Sequence, residues 1–145
     1  KRRMPLPLRL SRRPALDSLL SPERRKTLIF IIDLKLGNGM NIREHHFARH
    51  RRVKNEKCAV GWTLRTQRPP QGPVRVTLTR CMWGKGLDGD NLQGSLKAPR
   101  DAVAEWLGRD DADKSIDWVY AQTPASRGKG FMTIEIQPVA GGERA

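Results

Sequence analysis

Only two cysteines occur in the 145 residues, Cys58 and Cys81. They form no Cys-x-x-Cys pair and have no histidine at zinc-finger spacing. That argues against a disulfide framework or a structural zinc site and leaves two free thiols as the expectation. Long apolar runs are missing as well. The longest, 28–32, covers five residues, against about 20 for a membrane-spanning helix. No stretch reads as a secretory signal, so the expected location is the cytoplasm. Acids are scarce: 15 Asp and Glu stand against 28 Lys and Arg, a formal net charge of +13. The few places where acids gather are therefore informative, and the charge directs attention to polyanionic partners.

What remains suffices for one folded domain. Hydrophobic content of 37% with 30% charged residues disfavours a wholly disordered chain, and the length fits a single core. Residues 1–27 carry nine Lys or Arg and two acids, while the other 118 carry nineteen and thirteen. The body is thus basic in its own right. Pro5, Pro7, Pro14 and Pro22 interrupt any long helix, so 1–26 reads as a flexible basic arm. The folded domain is expected over 27–138, with a frayed tail over 139–145.

Within the domain, 27–36 reads as a strand apolar on both faces, hence central. Gly37-Asn38-Gly39 breaks it. Asn41 followed by Glu44 resembles a capping box for a helix over 42–65, with Phe47, Val53, Cys58 and Trp62 in its buried stripe. The alternation over 74–83 predicts a strand with Val74, Val76, Leu78 and Met82 on one face, broken by Arg80. A second helix, capped by Asp90 or Asn91, should reach Leu107 with Leu92, Leu96, Val103, Trp106 and Leu107 inward. Pro99 should kink or divide it, and Gly108 should end it. Strands are expected over 115–122 and 131–137, joined by the basic loop TPASRGKG. The order β-α-β-α-β-β implies an α/β (α+β) two-layer sandwich, with a mixed sheet of about four strands and two main helices.

The acids concentrate at Asp88 and Asp90, after the second strand, and at Asp110 and Asp111, after the second helix. Residues two apart in an extended segment point to the same side, so Asp88 and Asp90 suit one hard cation such as Mg²⁺. Carboxylates near a phosphate backbone are unfavourable without a cation between them. Acids gathered in a basic chain therefore point to metal-dependent chemistry on nucleic acid. The plainer reading is an ordinary polar turn with an N-cap. For the second pair to join the first, the chain must fold back across the helix.

Asp88-Gly89-Asp90-Asn91-Leu92-Gln93, then Lys97, then Asp110-Asp111 resembles the RusA family of Holliday junction resolvases, phage and prophage members above all. Weaker likeness covers Asn38-Gly39-Met40-Asn41, Arg43-Glu44-His45 and Tyr120-Ala121-Gln122, so that about 34–137 is involved. The resemblance implies a homodimeric endonuclease that uses Mg²⁺ (or Mn²⁺) to cut branched DNA in recombination and repair. It implies a bacterial or phage-infected cell as the setting. It assigns the metal to Asp88, Asp90 and Asp111, with Asp110 as the alternative third ligand, and a catalytic role to Lys97. Where the compact bacterial members place a lysine directly after the glutamine, this chain has Gly94, and Lys97 follows one helical turn later.

Around these residues, 43–57 holds six Lys or Arg and all three histidines. Arg43, Arg51, Arg52 and Lys54 are candidate phosphate contacts; a solvated helix face is the alternative. Arg127 and Lys129 are candidates in the basic loop, which otherwise simply turns a hairpin. Trp62, Trp106 and Trp118 are expected in the core, and Trp83, beside the acids, is the candidate for contact with DNA bases. The competing function is a non-catalytic nucleic-acid-binding protein, or a nuclease of the same fold acting on other phage DNA structures.

Overall fold

The computed structural model describes residues 26–36 and 45–139. The expected arm up to residue 25, the Asn41 and Glu44 cap, and Arg43 lie outside them. The elements are β1 (Leu28–Ile32), α1 (His46–Leu64), β2 (Val74–Met82), α2 (Gly89–Ser95), α3 (Lys97–Leu107), β3 (Ile116–Pro124) and β4 (Gly130–Pro138). One mixed sheet runs in the order β1-β4-β2-β3. β4 is antiparallel to both β1 and β2, while β2 and β3 are parallel. The expected sandwich is present: helices cover one sheet face, and the core lies between the layers.

Period-two alternation builds that core. Phe30, Ile32, Val76, Leu78, Met132, Ile134 and Ile136 are buried, together with Val60 and Leu64 of α1, Leu92 of α2 and Val103 of α3. The opposite face is open. Its rows include Ile29, Glu135, Thr77 and Val119 in register. This corrects the expectation for the first strand. β1 lies at an edge, and Ile29 and Ile31 are 66% and 70% exposed. An apolar run cannot distinguish a strand covered on both faces from an edge strand with one bare face.

Three further differences position the functional residues. The stripe expected inside α1 is largely outside: Phe47, Cys58 and Trp62 are exposed, and the buried positions are Glu56, Val60 and Leu64. The helix also starts later than expected, with His45 as N-cap; its Nδ1 accepts from the Phe47 N–H at 3.2 Å. The second helix is divided, one of the two outcomes expected from Pro99, but the break is at Leu96. Pro99 then falls in the first turn of α3, where no N–H donor is needed. Gly108 ends α3 in the left-handed region, φ 73°. Finally, β3 and β4 form no hairpin, because β2 lies between them. The basic loop must cross the end of β2.

Candidate functional site

The carboxyl end of β2 leads through Gly84, at φ 101°, to the start of α2. Gln122 of β3 holds this loop. Its Nε2 donates to the Leu87 carbonyl at 2.6 Å, and its Oε1 accepts from the Leu87 N–H at 2.9 Å. The amide thus imitates a strand partner for the loop. Gly86 permits the approach, since a Cβ there would lie 3.0 Å from Gln122 Oε1.

Asp88 is the N-cap of α2, a place expected for Asp90 or Asn91. Its Oδ1 accepts from the Asn91 N–H at 3.0 Å and from Asn91 Nδ2 at 2.9 Å. Asp90 stands in the first turn, exposed, where the helix dipole favours negative charge. The two acids therefore share a helix N-terminus rather than one side of an extended segment. Lys97 opens α3 and pairs with Asp101 at 3.6 Å; its side chain is 68% exposed.

Asp111 turns toward Arg100. Arg100 Nε lies 3.4 Å from Asp111 Oδ2, and its Nη2 donates to the Asp111 carbonyl at 3.1 Å. That carbonyl also accepts from Trp118 Nε1 at 2.9 Å. The guanidinium sits 4.9 Å from the Trp118 ring centre and donates through Nη1 to the Tyr120 hydroxyl. Tyr120 and Gln122 are two residues apart on β3, about 7 Å along the strand. The anchors of the Asp88 loop and of the Asp111 turn are therefore neighbours on one edge strand. Among the described residues, however, no three His, Cys, Asp or Glu side chains are gathered as a metal-holding cluster. As donors, Asp88 and Asp90 fit a hard cation. Asp111 is engaged by Arg100 and would have to exchange that partner for the metal.

Next to Asp111, the Ala112 N–H and the Asp111 carboxyl hold Asp110 below the usual carboxylate range. The Ser115 N–H and hydroxyl do the same for Asp113. Arg80, at the end of β2, is buried, and burial lowers its pKa.

The cations divide into two places. By crossing β2, the loop after β3 sets the Arg127 guanidinium 5.3 Å from the Trp83 ring centre, upstream of Asp88. Lys129 is exposed in the same loop. Lys35 reaches this end too, its Cγ beside Gly130. On α1, Arg51 and Lys54 are exposed, whereas Arg52 pairs with the buried Glu56 at 3.0 Å. His45, His46 and His50 are exposed. Sequence reasoning did not single out Arg100 or Lys35, and it met Gln122 and Tyr120 only through family likeness. Arg80 was visible as a break in alternation.

No protein-family model matches this chain, and no curated protein does.

Proposed function

We propose that the chain is a Mg²⁺-dependent endodeoxyribonuclease acting on branched DNA, Holliday junctions first among them, as a homodimer of RusA type. The observation that carries the reading is the meeting at one end of the sheet of an acid-bearing helix N-terminus and a basic, tryptophan-backed loop. A phosphodiester substrate calls for that pairing of cations for its backbone with carboxylates for a metal. Asp88, Asp90 and Asp111 would hold the ion. Bound there, it would neutralise phosphate charge and lower the pKa of a coordinated water. Arg127 and Lys129 bind and orient the backbone. Lys97, at the start of α3, would answer negative charge on the leaving oxygen. Gln122 anchors the loop before Asp88, and Arg100 anchors the turn that carries Asp111.

A second reading has its own support. Asp88 already caps a helix and Asp111 already has a partner, as in a binding protein whose acids are structural. One experiment separates the two: cleavage of a labelled four-way junction beside a matched linear duplex, in Mg²⁺ and in EDTA, by wild type and Asp90→Asn. Paired cuts on the junction, lost in EDTA and reduced to background in the variant while binding persists, are expected. Cleavage by Asp90→Asn at the wild-type rate sinks the metal assignment, and tight binding without cutting in Mg²⁺ or Mn²⁺ selects the binding protein. Cuts on flaps or forks in preference to junctions would redirect the substrate.

A further inference from the structure

Away from the acids, α1 and α3 enclose an open groove of about 700 Å³, within the range of small-ligand pockets, about 300–1,000 Å³. Two tryptophans line it. Trp106 of α3 is a fixed wall: its Nε1 donates to the Gln67 carbonyl at 3.3 Å, and its ring meets Phe30 edge-on at 6.1 Å. Trp62 of α1 is 69% exposed, with the Arg65 guanidinium 5.0 Å from its ring centre. Lys54 and Lys57 stand on the same helix stripe, and among the described residues Glu105 is the one carboxylate in the lining. Gly61 also lines the groove, and a Cβ there would meet nothing within 4 Å. A glycine inside a helix weakens it. Here it leaves the groove open beside Trp62.

The geometry points to this groove as a binding site for a single-stranded segment of nucleic acid, the unpaired strand of a branched DNA. The inference rests on the nucleic-acid part of the proposed function and not on the metal site. An exposed indole backed by a guanidinium offers a stacking surface that any base can use. Three cations against one carboxylate favour a polyanion. Paired bases cannot reach such a platform without leaving the duplex, so the groove selects unpaired ones.

The test is fluorescence anisotropy of a labelled oligothymidylate, and of a blunt duplex of equal length, with the full chain in EDTA. Trp62→Ala is expected to weaken oligothymidylate binding about five- to 150-fold and to leave duplex binding unchanged. Lys57→Gln should lower the slope of log affinity against log salt by roughly 0.7, one phosphate contact on a single strand. Gly61→Leu, which fills the groove from α1 at a position where a Cβ meets nothing within 4 Å, should weaken oligothymidylate binding with the fold intact by circular dichroism. Equal oligothymidylate binding by wild type and Trp62→Ala overturns the inference, as does an equal loss on both DNAs. A wild-type dimer that Trp62→Ala turns into a monomer in sedimentation overturns it in favour of an interface between copies. Oligothymidylate binding without junction cleavage sinks the nuclease reading alone. Junction cleavage with Trp62→Ala binding as wild type sinks this inference alone.

Discussion

The β2-to-β3 crossover and α1 use their polar side chains in different ways. In the crossover they are spent on the fold. Gln122 clamps Leu87, Arg100 joins Asp111, Trp118 and Tyr120, and Arg109 bonds Ser115 and the Pro70 carbonyl at 2.9 and 3.2 Å. Along α1, Arg51, Lys54 and Trp62 are exposed, while Arg52 pairs with the buried Glu56. A parallel crossover has long connections whose backbone groups need partners, and side chains supply them. A surface helix satisfies its own backbone. Its side chains then remain available for a partner.

Arg100→Ala should break the contrast most sharply. It removes the tether of Asp111, a partner of the Tyr120 hydroxyl and the cation on Trp118, and should cost about 2–3 kcal/mol of stability. Arg51→Ala on α1 should change stability by less than about 0.5 kcal/mol. Urea unfolding of both variants measures the difference, and equal midpoints would remove the distinction between the two regions. Gln122→Ala comes next. It leaves both Leu87 backbone groups without their side-chain partner and should cost about 1–2 kcal/mol, with faster amide exchange at Leu87 as its local signature. Lys54→Ala again serves as the silent counterpart.

The smallest effect is one of pH. Asp110 and Asp113 have carboxyls held below their usual pKa by hydrogen bonds in the turn before β3. A depressed native pKa contributes stability that is present above the unfolded value, about 4, and is lost as pH falls through the native one. Thermal unfolding should therefore show a small acid-side decline that Asp113→Ala flattens. A variant with the wild-type decline would assign it elsewhere.

Several features were legible because they depend on local chemistry. Gly108 as a stop, the inward positions Leu92, Leu96, Val103 and Leu107, and the alternation of β2 follow from periodicity and from the conformational freedom of glycine. The division of the second helix was legible in kind but not in place. Proline excludes itself from a helix interior, yet it is at ease in a first turn, so the break moved to Leu96. The stripe of α1 was misjudged at Phe47, Cys58 and Trp62, since a long helix with scattered apolar residues offers more than one face and only its neighbours choose. At the candidate site, the sequence pointed to Asp88 and Asp90 as chemistry but gave the N-cap to the wrong neighbour. Gln122 had no local signal beyond likeness and Arg100 had none, because their partners lie 35 and 11 residues away.

By itself, the sequence determined the class of fold, the basic character of the body and the concentration of acids on either side of one helical segment. Those follow from composition and from periods of two and 3.6 residues, which act over a few neighbours. Only the tertiary structure decided that β1 is an edge, that the basic loop crosses β2 to reach Trp83, that Arg100 holds Asp111, and that Trp62 faces solvent. Each depends on which strands pair and which helix faces meet, and those are choices among distant segments that packing of the whole core makes together.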